Sequence, residues 1–295
     1  MSSSILKQEE VSHRYTIAIE ACCEIAQTYF YLGRVADAQH VLRTMLYLIE
    51  VGEVKPQDRL KLLLLYGEIL TIDHFLNETD AALLFEPLVQ ARQIAETVQD
   101  QQGLSDALSL LGQAHYFVTL RARVKSGASL NSSQDQGDYQ EALTYQQQAL
   151  QLREALHDSR GMSESHFYLG IVYERWQQRD LAGEHYARAL QIAEQAGHLL
   201  ERSEPTRHLA GIALGKGELD QALSYALQAL SLREAAGFRP HLPFDHLLLS
   251  AIYQAKEDTA NALLHAQIAS SLANAMESSS ARALADERLK QLDQQ

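Results

Sequence analysis

Twelve histidines, the adjacent Cys22 and Cys23, and 38 acidic side chains are the groups in this 295-residue chain that could carry chemistry. A zinc site needs three or four ligands converging at about 2 Å, and neither His-x-x-x-His nor Cys-x-x-Cys spacing occurs. The phosphate-cradling and nucleophile signatures, Gly-x-Gly-x-x-Gly, a P-loop and Gly-x-Ser-x-Gly, are also absent, and Gly215-Lys216-Gly217 reads as a turn between helices. Acidic residues such as Glu164 and Glu174 fall in helical segments, where a solvated face is the ordinary role of a carboxylate. No catalytic residue, metal ligand or cofactor is predicted. Adjacent cysteines bridge only through a strained ring, so no disulfide framework is expected. Cys22 falls at a core position and Cys23 one step around, toward a groove; packing is the expected role of the pair and redox sensing the competing one.

The bulk numbers narrow the classes of function. A formal charge of −13 opposes a phosphate backbone over most of the surface, so direct nucleic-acid binding is not expected. Apolar runs such as Met45 to Ile49 are too short to span a membrane, and Met1 to Glu10 lacks the apolar stretch of a secretory signal. With no disulfide framework, this points to the cytoplasm. An apolar content of 46% is enough for a large core.

The elements that must position these groups repeat. Ala142 to Glu154 (ALTYQQQALQLRE), Ala182 to Glu194 (AGEHYARALQIAE) and Ala222 to Glu234 (ALSYALQALSLRE) align without gaps, and a fourth copy starts at Ala262; the period is 40 residues. Such regular self-similarity marks a solenoid. Ahead of each block lies another helical segment with a small residue at fixed offset: Leu169, Gly170, Tyr173; Leu209, Ala210, Ala213; Leu249, Ser250, Tyr253. Residues three and four apart share a helix face, so each unit is a helix pair in which the small residue lets the second helix approach closely. His166 and His246 take bulky core positions in this scheme, and Trp176 ends a first helix.

These residues resemble the tetratricopeptide repeat; the best match is His166, Leu169, Gly170, Tyr173, Ala182, Tyr186 and Ala189, and the resemblance covers roughly residues 15 to 275. The usual period is 34 residues, and the longer one here is similar to that of kinesin light chains, cell-polarity scaffolds and bacterial peptide-sensing regulators. The resemblance implies an all-α fold, a right-handed superhelical solenoid of about six helix pairs. Residues 1–14 are expected to be a flexible segment, 15–277 the array, and 278–295 a capping helix with a stripe of Ala281, Leu284, Ala285, Leu289 and Leu292. Two units are stretched. The second has a turn around Phe75 to Asp80 about six residues longer than its fellows, and the third carries about 18 additional residues before Ala142, read as a loop over 121–137.

By resemblance, first helices line a concave surface that accepts a partner segment. The lining positions include Gln27, Phe30, Lys61, Glu68, Gln113, Tyr116, Glu164, Phe167, Ile171, Glu174, Arg207 and Leu247. Their mixture of acidic and apolar groups favours a basic or neutral protein or peptide segment. The Lys, Asn and Arg cluster with which co-chaperone members hold a terminal carboxylate is not among them. Arg121, Arg123 and Lys125 in the insertion could meet an acidic partner or fold over the groove. The expected function is a protein-binding scaffold module, and apolar strips at the array ends leave a homodimer open. The alternative is a ligand- or peptide-sensing regulatory domain of a bacterial signalling or transcription system, although no DNA-binding motif is recognisable ahead of Tyr15. An enzyme on a helical-repeat fold is the remote competitor.

Overall fold

Small residues decide how closely each helix pair packs. A Cβ on Gly170 would lie 2.5 Å from the ring of Tyr186, one on Gly67 2.2 Å from Leu88, and one on Gly112 2.9 Å from the Gln146 amide. Where the first helix carries alanine or serine instead, at Ala210 and Ser250, the corresponding second-helix residues shrink to Ala226 and Ala266, and all four are buried. Gly170→Ala is therefore expected to destabilise the fold by about 1–3 kcal/mol through overpacking, despite the better helix propensity of alanine. Tyr186 cannot retreat, because its hydroxyl is held 2.7 Å from Glu174. An unchanged or higher urea midpoint for Gly170→Ala would refute this.

The computed structural model describes residues 2–50, 52, 54–129 and 136–294. Its six helix pairs run α1 (Ser2–Tyr31) with α2 (Val35–Ile49), α3 (Pro56–Asn77) with α4 (Ala82–Val98), α5 (Gln101–Ser126) with α6 (Gln140–Leu156), α7 (Ser159–Arg175) with α8 (Arg179–Ala196), α9 (Leu199–Lys216) with α10 (Leu219–Ala236), and α11 (Leu242–Ala255) with α12 (Thr259–Ala275). α13 (Ser279–Asp293) packs on α12 and α11 as the cap, and a short 3-10 turn (Gln136–Tyr139) precedes α6. No strand occurs among the described residues. The architecture is the all-α solenoid of helix pairs that the forty-residue period predicts. Asp100 and Asp158 start α5 and α7 by accepting the amides of Gly103 and Gly161 at 2.9 and 3.0 Å.

Three boundaries differ from the sequence-based expectation. The N-terminal residues are not an irregular segment: α1 begins at Ser2, in a stretch free of glycine and proline that includes a Glu10 and Arg14 pair at 3.7 Å. The additional residues of the second unit lengthen α3 through Asn77 instead of its turn, because Ile72, Phe75 and Leu76 continue the apolar stripe and are covered. Likewise α5 continues to Ser126, so Arg121, Arg123 and Lys125 are helical, not part of a loop. Residues 130–135 of the expected insertion lie outside the described residues.

These two helix extensions carry the chain across the superhelix to its far end. Phe75 packs with its ring tilted against Phe244 of α11 at 5.1 Å and meets His241 edge-on at 5.9 Å. The carbonyl of Leu76 accepts the Ser278 hydroxyl at 3.3 Å, and the Asn77 side chain accepts the Ser279 amide at 3.0 Å, both at the start of the cap. Arg121 pairs with Glu78 and donates to Ser280 at 2.8 Å. Phe238, between α10 and α11, packs edge-to-face on Phe30 and Tyr31 of α1 at 5.4 and 5.3 Å, and the Arg239 amide donates to the Tyr31 carbonyl at 2.9 Å. Gly33 turns the chain in a left-handed conformation, φ 80°, directly against Met276. The first units thus touch the last, and the array is closed on itself.

Candidate functional site

Closure decides what remains of the concave face. Phe30, Gln113, Tyr116, Phe167 and Ile171 are all buried, covered by neighbouring units or by the far end of the chain. Gln27 and Lys61 are exposed, and Glu68, Glu164, Glu174, Arg207 and Leu247 are half-buried. The twelve lining positions are therefore not one open groove. Phe30 belongs to the closing aromatic contacts, whereas Glu164 and Gln113 belong to a polar network around the middle of the inner face.

Two buried arginines on second helices organise that network. The Arg153 guanidinium (α6) donates to Asp106 of α5 at 3.1 Å, to Glu164 of α7 at 2.8 Å and to the Ser165 hydroxyl at 2.8 Å. The Glu164 carboxylate also receives the Gln113 amide at 3.1 Å and the Ser109 hydroxyl at 3.2 Å. Two repeats on, Arg233 (α10) lies 2.8 Å from Glu204 of α9 and 2.5 Å from Asp245 of α11. Each arginine bridges the first helices on either side of its own. Glu204 further accepts from Arg207 at 3.0 Å and pairs with His241 at 2.6 Å. Although burial opposes its charge, these cations hold its carboxyl well below the usual range.

Glu68 differs from its acidic neighbours. Burial, reinforced by the charge of Glu164, pushes its carboxyl up to about 7. It has no hydrogen-bond partner among the described residues, yet it keeps part of its surface accessible with protein on every side. Tyr168 projects into the same region, where burial and the charges of Glu164, Glu204 and Glu68 raise its hydroxyl well above the ordinary value. Arg160, paired with Glu201, is the nearest cation to Glu68. Further along, Glu174 bonds His208 at 2.9 Å and Tyr186 at 2.7 Å, and its carboxyl falls to about 2 because His208 and Arg175 outweigh the effect of burial.

The other candidate chemistry resolves into packing. His166 and His185, and two repeats later His246 and His265, form pairs with Nδ1 atoms 3.0 and 2.8 Å apart, and Tyr173 or Tyr253 stacks on the second ring. Burial keeps these pairs neutral, pushing His166 and His246 down to about 4. Among the described residues no group of three or more His, Cys, Asp or Glu is placed to hold a metal ion. No helix among them is long and apolar enough to cross a membrane. The cysteines exchange their expected places: Cys23 is buried and Cys22 only half-covered, since α1 turns Ile19, Cys23, Ala26 and Phe30 inward. Burial raises the Cys23 thiol to about 11, leaving it an unreactive core group.

Arg121 is committed to Glu78 and Ser280, and Arg123 is buried against Asp138 and the Ser129 carbonyl, so both serve the chain's own structure. Lys125 is exposed. Sequence reasoning missed the Arg153 and Arg233 bridges. The signal was the Leu-Arg-Glu that closes two of the aligned blocks, where the intervening block has Ala193.

A family model described as tetratricopeptide repeat matches residues 131–195, from the end of the third unit through the fourth. No curated protein matches the chain. Among solved structures, BtubC (BKLC) from P. vanneervenii aligns with a TM-score of 0.52 at 15% identity, covering 83% of this chain and 91% of its own. Aspartyl phosphate phosphatase F from Bacillus subtilis aligns with a TM-score of 0.55 at 11% identity, covering 94% of this chain and 82% of its own. At such identities the likeness is one of fold. Six helix pairs, small residues at the close approaches and a forty-residue period give this chain a tetratricopeptide-type fold, with the family model itself matching residues 131–195.

Proposed function

We propose that the chain is a binding module for a segment of a protein or peptide, taken up at the inner face around Glu68. The observation that carries this is Glu68 itself, a half-buried carboxyl with no hydrogen-bond partner among the described residues, raised to about 7 by burial and the charge of Glu164. The apolar lining positions Phe30, Tyr116, Phe167 and Ile171 are already buried within the chain. A partner segment is therefore extended and narrow, presenting a lysine or arginine to Glu68, and not a helix laid along an open groove.

A carboxyl poised near 7 makes the test specific. Its folded value is raised, so it is neutral below that pH and anionic above it, and its attraction for a cation grows as pH rises from 6 to 8. Short Lys- or Arg-containing peptides should bind about tenfold more tightly at pH 8 than at pH 6, the increment of one charge-assisted hydrogen bond. Glu68→Gln should abolish that pH dependence while leaving helix content unchanged. Equal retention of acidic and basic peptides by the wild type, or an undiminished pH response in Glu68→Gln, would remove the basis for this reading.

A second reading is favoured by the closure. Contacts such as Phe238 on Phe30 join units distant in sequence, and a ligand that favoured the closed or the opened array would act as a regulatory signal.

A further inference from the structure

The cap leaves an open cleft of about 360 Å³ between α9, α11 and α13. Such a volume is that of a small-molecule site. One wall is apolar, built by Phe244, Leu247 and Leu248 of α11 with Leu284 of α13. Leu284 was expected to pack in the cap's stripe, but it is 52% exposed at this rim while Ala281, Ala285 and Leu292 are buried. The polar wall is Arg207 and Arg288, with Glu287 and Gln291 at the edge.

The pairing is uneven. The cleft is lined by Arg207, Arg288 and Glu287, and Arg207 is linked through Glu204 to the buried Arg233 and Asp245. Glu204 is shared between Arg207 and Arg233, and Asp245 is taken by Arg233. Arg288 has no carboxylate partner among the described residues; it is held by neutral acceptors alone. Its Nε donates to the Ser250 hydroxyl at 2.9 Å, and its two terminal nitrogens donate to Gln254 Oε1 at 2.5 Å and the Ser250 carbonyl at 2.8 Å. A guanidinium has five N–H donors, so one remains on each terminal nitrogen for a further acceptor. Glu287, bonded to Gln291 at 3.1 Å, stands at the rim and disfavours a multiply charged anion.

We propose that this cleft binds an apolar monocarboxylate, with the hydrophobic part against Phe244, Leu247 and Leu248 and the carboxylate on Arg288. The chemistry is shared by a free aliphatic or aromatic acid and by the apolar C-terminal residue of a peptide. The site is independent of the inner-face reading above. Because Arg288 belongs to the cap and its partners to α11, the occupant ties the two together.

Calorimetric titration of the full chain with 4-phenylbutyrate and its neutral amide, and with N-acetyl-Ala-Phe and its C-terminal amide, tests the proposal. At least one acid is expected to bind about tenfold or more tightly than its amide, the value of a hydrogen-bonded charge. Binding by the free acid alone, or by the peptide alone, identifies the source of the carboxylate. Arg288→Gln should remove the preference for acid over amide. Should that variant lose helix content, Leu284→Glu, which removes part of the apolar wall and adds a negative charge, should weaken the acid more than the amide and so lower the preference between them. No saturable binding by either acid, equal binding of acid and amide, or acid binding unaffected by both substitutions would overturn the proposal.

Discussion

Arg233→Ala is expected to cost about 3–5 kcal/mol of stability, because it strands two carboxylates around a side chain that is 0% exposed. Asp245 is itself 1% exposed, and burial already pushes its carboxyl upward despite Arg233. Without the guanidinium it has no cation within ion-pair distance among the described residues. Arg153→Ala should act in the same direction by a smaller amount, since Asp106 and Glu164 remain half-exposed and can reach water. The charge, not the shape, is at issue. Replacing Arg233, Asp245 and Glu204 together by Met, Leu and Gln should recover most of the loss, as replacing a whole buried ionic cluster does elsewhere. Urea midpoints followed by helix content provide the comparison. A single Arg233→Ala variant as stable as the wild type, or a triple variant no better than the single, would show that the bridge does not hold the units as described.

The architecture was legible because its determinants are local and recur. Leu169, Gly170 and Tyr173 against Ala182, Tyr186 and Ala189 specify a helix pair through i, i+3 and i+4 faces, and the period repeats that specification along the chain. The inner face was less legible because its state depends on contacts between units that are remote in sequence. Phe30 and Tyr116 occupy lining positions by register, yet they are buried by packing that no repeat pattern encodes. The first unit shows the same limit from the other side: Ile25 takes the position of Leu169 but is 49% exposed on α1. The stretched units were visible as departures from the period. Their meaning was not, since a helix extension and a longer turn are equivalent in a count of residues. What separates them is the continued apolar spacing of Ile72, Phe75 and Leu76.

Phe238→Ala is expected to destabilise the fold by about 3–5 kcal/mol and to uncouple the two ends of the array. In an open solenoid each unit answers only to its neighbours, so a truncation between α10 and α11 should be felt in the fifth and sixth units alone. Here the Phe238 ring lies against Phe30, Tyr31 and His241, and the next residue's amide bonds the Tyr31 carbonyl. The loss should therefore appear in α1 as well, over 200 residues earlier in the chain. Hydrogen exchange gives the direct measurement. Amides at the end of α1 and at Ser278 and Ser279 should lose protection in Phe238→Ala, and the radius of gyration in solution should rise as the ends part. Loss of protection confined to α10 and α11 would mean that the closing contacts contribute no coupling. The same variant bears on binding. If the inner face admits a partner only when the ends separate, part of the binding energy is spent on opening, and Phe238→Ala should bind basic peptides faster and more tightly despite its lower stability. If instead the segment threads the closed array, opening removes one wall of the site, and affinity should fall with stability.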